Sequence, residues 1–193
     1  MVKLTRIYTR TGDAGSTRLA DMSEVAKTDL RVAAYGDVNE ANAHIGVALA
    51  LGGLDDDVRD VLARVQNELF DVGADLATPV VPDPQFPPLR VEQPAVDRLE
   101  GWCDHYNATV PRLRSFVLPG GTAGSALLHV ATTATRRAER STWAALHEHR
   151  KTMNPLAATY LNRVSDLLFI LARHANRHEG DLLWVPGGER GGT

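Results

Sequence analysis

The sequence holds a single cysteine, Cys103. One thiol makes no internal disulfide and no multi-cysteine zinc site, and such sparing use fits a reducing, cytoplasmic setting. An excess of cations is also missing. Lys and Arg number 21 against 24 Asp and Glu, for a formal charge of −3, so the basic footprint of a nucleic-acid partner is not there. No stretch reaches the roughly 18 uncharged apolar residues of a membrane span. The first residues carry Lys3, Arg6 and Arg10 without an apolar run, so no signal peptide is expected. The two Glu-x-x-His pairs of a di-iron bundle are lacking, and Glu40 with His44 supplies at most one half-site. No Ser-His-Asp arrangement can be read from spacing. What remains is a chain of 193 residues, 44% hydrophobic and 23% charged, with length enough for one domain and a real core.

Helical periodicity dominates. From Leu30, the residues Ala34, Val38, Ala41, Ile45, Ala48 and Leu49 recur at steps of three and four. Val58, Leu62, Val65, Leu69, Val72 and Leu76 do so more cleanly, behind Asp55–Asp57, where a helix N-terminus favours negative charge. A third helix is predicted from about Ser125 to His149, with Leu127, Val130, Ala134, Ala138, Ser141 and Ala145 on its inner side. A fourth is predicted from about Pro155 to His178, capped by Asn154. A shorter one is predicted near Pro94–Thr109. Five prolines break the chain at 78–88, and Leu118–Gly121 breaks it again. Strand alternation is scarce. The expectation is an all-α, five-helix up-and-down bundle with an irregular N-terminal arm. Residues 1–185 would form one domain, 1–29 its arm, and 186–193 a flexible glycine-rich tail.

Three segments carry candidate chemistry. Tyr8–Thr17 (YTRTGDAGST) combines glycines, hydroxyls and Arg10, a composition suited to cradling phosphate, although it lacks the GK[ST] ending of a P-loop. Taken alone it reads more readily as a plain surface arm, because short Gly/Ser/Thr motifs are weak signals. Arg136-Arg137-Ala138-Glu139-Arg140 offers three guanidinium forks, with Arg136 and Arg140 on one helical face. The charge-free turns before it place this cluster at the end of a buried helix. Asn162 and Asp166 share a face four residues apart; a satisfied core hydrogen bond is the commoner use of such a pair.

Together and in this order, the segments resemble the PduO-type ATP:cob(I)alamin adenosyltransferase family. The matching stretches are YTRTGDAGST at 8–17, Lys27 with RVAAYGDVNEANAHIG at 31–46, FVLPGG at 116–121, LHVATTATRRAER at 128–140 and YLNRVSDLLFILAR at 160–173. The resemblance implies a homotrimer of five-helix bundles (ferritin-like in architecture) with ATP held between neighbouring copies. It implies an ATP site of Thr9, Arg10, Thr11, Gly12, Gly15, Ser16, Thr17 and Lys27 from one copy, with Arg136, Arg137, Glu139, Arg140 and Asn162 from the next. Phe116, Asn39 and Asp166 would meet the corrinoid, and Arg136 and Phe116 would carry the catalysis. Mg²⁺ would accompany ATP, with no protein ligand assigned to it. A flavin reductase and a cobalamin-dependent acceptor enzyme are implied as further partners.

The implied reaction fits these residue types. Cobalt(I) attacks the ribose C5′ of ATP and triphosphate leaves, so alignment and charge stabilisation are required and a protein nucleophile is not. An apolar wedge such as Phe116 would keep the lower axial base and water off cobalt(II), easing its reduction. Two positions depart from the family pattern. Asn39 stands where Asp is usual and Thr132 where Arg is usual, a charged pair across the subunit boundary that is lost here as a unit. The residues leave two other classes open: a protein of this fold that senses or delivers adenosylcobalamin without turnover, and a purely structural bundle.

Overall fold

A computed structural model describes Tyr8 and residues 10–189. Thr9, assigned above to ATP, and the last residues of the glycine-rich tail lie outside the described residues. Five α-helices account for most of the chain: α1 (Leu30–Leu51), α2 (Asp56–Ala77), α3 (Gln93–Asn107), α4 (Ala123–His149) and α5 (Leu156–Ala175). Their limits follow local chemistry. Asp29 accepts from the Arg31 N–H at 2.8 Å to open α1, and Thr122 accepts from the Ser125 N–H at 3.2 Å to open α4. Asn154 accepts from the Leu156 N–H at 3.1 Å, so the expected cap operates two residues ahead of the assigned start of α5.

Successive helices alternate in direction. The start of α1 meets the ends of α2 and α4: Arg31 donates to the Leu76 and Thr152 carbonyls, and His149 approaches Asp29 at 3.1 Å. The end of α1 meets the start of α4, where Gly52 and Gly124 come so close that a Cβ on Gly124 would stand 2.7 Å from the Gly52 carbonyl oxygen. Helix α4 packs on α1 and α5, and α3 covers α5. The α2 stripe read from the sequence is buried in full, as are Ala34, Val38, Ala41, Ile45 and Ala48 of α1.

The inner face of α4 differs from the expected one. Leu128, Ala131, Thr135, Ala138, Thr142 and Ala145 are buried, whereas Val130 is exposed. Small residues let α4 sit close between two neighbours. The hydroxyls of Thr132, Thr135 and Thr142 donate to their own i−4 carbonyls at 2.8 Å, so they count as apolar volume that a hydrophobicity scale misses. The same stripe runs past the arginine cluster through Leu146, so the cluster lies in the middle of a buried helix and not at its end.

The arm is more regular than its sequence suggested. Ser16–Arg18 (β1) pairs antiparallel with Glu24–Ala26 (β2), with Thr17 opposite Val25. The turn between them is pinned by Leu19, whose N–H donates to Ser23, and docks through the Ala20 N–H on the Ala77 carbonyl. Asp75, 1% exposed, binds the proline loop back to the bundle by accepting from Arg90, the Val91 N–H and Asn154.

Candidate functional site

The arm gathers its candidate residues around one cavity. Thr11, Gly12, Ser16, Thr17 and Arg18, with Met22 and Glu24, line a space of about 470 Å³. Gly15 sits at φ +86°, a left-handed conformation that suits glycine, and its carbonyl accepts from the Lys27 N–H at 2.8 Å. Lys27 lies against Gly12: a Cβ there would meet Lys27 Cε and Nζ at 3.0 Å. Three hydroxyl side chains thus line this hollow and an ammonium lies beside its Gly12 edge, a composition suited to an anion. Arg10, also at positive φ, stacks its guanidinium 5.6 Å from the centroid of the exposed Tyr8 ring.

The arginines of α4 divide between two faces. Arg137 pairs with Glu40 and lies 3.7 Å from Asp37, both on α1. Arg136 and Arg140 are exposed and have no ion pair or hydrogen-bond partner among the described residues. Glu139 turns toward α5 and accepts from Asn162 Nδ2 at 3.3 Å, and Arg163 donates to Asn162 Oδ1 at 2.7 Å. Asp166 stands one turn further along α5. Desolvation raises its pKa above the ordinary carboxylate value, while the charges of Arg163 and Arg136 pull the other way.

Still further toward the end of α5, Phe169 faces the His129 ring of α4 edge-on, with centroids 5.8 Å apart. Phe169 also lines the largest of the described cavities, about 910 Å³, with Leu113, Phe116, Val117, Leu183 and Trp184. Phe116 is 77% exposed there and meets Trp184 edge-to-face at 6.0 Å. A short ribbon sets this pair. Val117 bridges to Leu183, the Leu118 N–H donates to the Leu182 carbonyl at 2.7 Å, and the Trp184 N–H donates to the Phe116 carbonyl at 2.8 Å. Along the seam where α4 and α5 pack, the apolar hollow at Phe116 and Phe169 is therefore followed by Phe169 with His129, Asp166 near Arg136, and Asn162 with Glu139. From Phe169 to Asn162 is seven residues of helix, about 10 Å.

Asn39 is not part of this seam within one copy. It is exposed on the α1–α2 side, beside Asn42, Ala43, Gln66 and Phe70. Thr132 is buried on α4 with its hydroxyl turned to Leu128. Sequence reasoning missed Phe169, Trp184 and His129. A tryptophan and two leucines at 182–184, just ahead of a glycine-rich tail, were a usable signal. Phe169 and His129 were hidden inside helical periodicity. Among the described residues no group of three or more His, Cys, Asp or Glu is placed to hold a metal, and no helix is long and apolar enough to cross a membrane.

Comparison with known proteins agrees with this geometry. The family model for cobalamin adenosyltransferase matches residues 7–175. A corrinoid adenosyltransferase of Mycobacterium tuberculosis is 64% identical over 189 residues, covering 98% of this chain and 97% of that protein. One from Bacillus subtilis is 40% identical over 178 residues, covering 91% and 89%. Among solved structures, a phenylalanine-to-alanine variant of a PduO-type ATP:corrinoid adenosyltransferase from Lactobacillus reuteri, complexed with cobalamin and ATP, superposes with a TM-score of 0.84. It is 39% identical and covers 94% of this chain and 100% of its own. Matched by that family model over most of its length and by these relatives along nearly all of it, this chain belongs to the cobalamin adenosyltransferase family.

Proposed function

We propose how this chain carries out the ATP-dependent adenosyl transfer to a corrinoid that defines its family. The observation that carries the reading is the α4–α5 seam, along which the aromatic hollow at Phe116 and Phe169 is followed by Asp166 and then by Arg136 and Arg140, two guanidiniums with no ion pair or hydrogen-bond partner among the described residues. The corrinoid substrate would lie over Phe116, Trp184 and Phe169, where there is little to hydrogen-bond an axial water or base. The triphosphate would lie on Arg136 and Arg140. Ribose C5′ would then fall between them, over Asp166, at a span that one nucleotide can bridge.

The corrinoid's cobalt(I) supplies the nucleophile and the bond to C5′ breaks toward triphosphate, so the protein has no proton to move. Its residues align the two substrates and stabilise the charge that grows on the departing oxygen. Glu139 and Asn162 hold each other and fix the floor between the sites. The Ser16 and Thr17 hydroxyls that line the arm's hollow would help hold a Mg²⁺ accompanying the triphosphate, which would supply further neutralisation of its charge.

The arm must act on a different copy. It docks at the end of the bundle where α4 finishes, whereas Phe116 precedes the start of α4, and the 27 residues of α4 span about 40 Å. Neither β1 nor β2 packs on a helix of its own chain among the described residues. Thr11, Gly12, Gly15, Ser16, Thr17 and Lys27 would therefore close over ATP held by the next copy's Arg136 and Arg140. The number of copies, three, follows from the family resemblance. Asn39 would face the neighbour's Thr132 across that boundary through a neutral contact. A cytoplasmic setting, and supply of reduced corrinoid by a flavin reductase for a cobalamin-dependent acceptor enzyme, complete the reading.

Mixing tests it. Lys27→Ala and Arg136→Ala chains, each nearly inactive alone, are co-refolded and assayed by the corrin absorbance change with ATP and Mg²⁺. Shared sites restore a fraction of wild-type turnover, because some boundaries then carry an intact arm and an intact cluster. No recovery in demonstrably mixed oligomers refutes a site built between copies.

A further inference from the structure

Phe116 is 77% exposed and so is not placed by the core. Its position comes from the ribbon it forms with residues 182–185, and both strands of that ribbon begin on one buried guanidinium. Arg173, 4% exposed on α5, donates through Nη2 to the Pro111 carbonyl at 2.6 Å and through Nε to Asp181 Oδ2 at 2.9 Å. Pro111 starts the segment that leads to Phe116, and Asp181 directly precedes Leu182. Three residues later on the same helix, Asn176, 3% exposed, holds the other side. Its Oδ1 accepts from the Thr122 N–H at 3.0 Å and its Nδ2 donates to the Gly180 carbonyl. Gly121 (φ +94°) packs against the Asn176 amide so tightly that no Cβ fits there.

We infer that Arg173 and Asn176 are positioning residues for Phe116, fastening both ends of the 111–122 loop and the root of the 182–185 strand to the last turn of α5. The chemistry favours rigidity. A planar guanidinium ties a carbonyl and a carboxylate in fixed directions, and burial raises the cost of parting them. The wedge is thereby held out into the hollow by a frame that touches no substrate. The inference rests on Phe116 serving as the corrinoid wedge, and two separate readouts keep the two claims apart.

The first readout is amide exchange in the substrate-free protein. Arg173→Ala and Asp181→Ala speed exchange of the Leu118 and Trp184 amides, the two ribbon donors, by about 10-fold or more while amides of α1 and α2 keep their protection. Unchanged ribbon exchange overturns the clamp. The second is the fraction of bound cob(II)alamin in the four-coordinate form, read by electron paramagnetic resonance with ATP present. Asp181→Ala lowers it about 10-fold, as loss of an outer support does at a metal centre, with ATP affinity within twofold. Arg173→Lys, which keeps the charge and loses the fork, falls between wild type and Arg173→Ala. Should Arg173→Ala fail to fold, Asp181→Ala decides, since that residue stands outside the helices. Faster exchange with an unchanged fraction, while Phe116→Ala abolishes the species, also overturns the inference. If Phe116→Ala is silent as well, the wedge reading itself fails.

Discussion

Arg136 and Arg137 are adjacent in the chain and serve opposite neighbours. Arg137 is drawn to Glu40 and Asp37 on α1, while Arg136 stands over the α5 side near Asp166 with no ion partner among the described residues. One residue of helix turns a side chain by about 100°, which is enough to separate a bundle contact from a ligand contact. Arg136→Ala should therefore lower kcat/KM by about 100-fold, near 3 kcal/mol of lost charge stabilisation, and leave melting temperature and assembly unchanged. Arg137→Ala should cost at most about 1 kcal/mol of stability, because its pairs are half exposed, and less activity than Arg136→Ala. Steady-state kinetics beside thermal melts checks both. Equal activity losses would show that the two arginines share one role.

Gly12 offers a test of the arm without touching a charge. Its Cα faces Lys27, and a Cβ would press on Cε and Nζ at 3.0 Å. The end of a lysine is flexible, and the Ser16 carbonyl oxygen, 3.1 Å from that Cβ, need yield only a few tenths of an ångström, so Gly12→Ala costs the fold little and moves the ammonium. Loss of one charge-assisted contact predicts a rise of about fivefold in the ATP KM, near 1 kcal/mol, with an unchanged corrinoid KM. A normal ATP KM would show that Lys27 does not meet the nucleotide.

The bundle was legible because its stripes are simple. Val58 to Leu76 bury at every expected position, since Val and Leu at steps of three and four leave one way to sit on a core. Helix α4 was misread by about one residue. Its buried face is made of alanine and threonine, whose weak apolar signal was outvoted by Leu127 and the exposed Val130. The hairpin was missed because strands of three residues show no alternation to detect. At the candidate site, motif and resemblance pointed to Arg136, Phe116 and the Gly/Ser/Thr arm, which the structure describes without testing their roles. Trp184, Phe169 and His129 gave no such signal, because they come together only through contacts distant in sequence. Spacing could not show that arm and wedge occupy opposite ends of one copy.

Phe116→Ala separates chemistry from folding. The ring makes its described ring contact with Trp184 alone and is mostly in solvent, so its removal should shift the melting temperature by no more than a surface substitution does, about 0.5 kcal/mol. Without it, water and the axial base reach the lower face of the corrinoid. Turnover starting from cob(II)alamin should then fall by at least about 10-fold while ATP affinity stays within twofold. Turnover from chemically prepared cob(I)alamin should fall less, because reduction has already been done. Equal loss from both starting states would place the role of Phe116 in the transfer step instead.

Acid should loosen the Phe116 end of the bundle before the arm end. His129 and His174 are both buried there, and desolvation lowers the pKa of each below the ordinary 6.5. Arg177 and His105 add to the lowering at His174, against Asp57 and Asp55, while Asp181 opposes it at His129. The unfolded chain takes up these protons near pH 6.5 and the folded chain resists them. The stability they contribute is therefore complete above pH 6.5 and declines as pH falls from there toward the folded values. Two protons set a ceiling of about 2.7 kcal/mol per pH unit on that slope. Glu68 does not set it: burial raises its pKa, hydrogen bonds from Tyr160, Arg64 and Arg98 outweigh that, and the net value lies below 4.5. Melting temperatures from pH 7.5 to 5.5 should fall steadily in the wild type and much less in a His129→Gln, His174→Gln double variant. Amide exchange over the same range should rise first at the end of α5 and around Thr109, whose hydroxyl lies 2.7 Å from His174 Nδ1. A wild-type melting temperature that stays flat to pH 5.5 would mean that both rings accept protons without leaving their places.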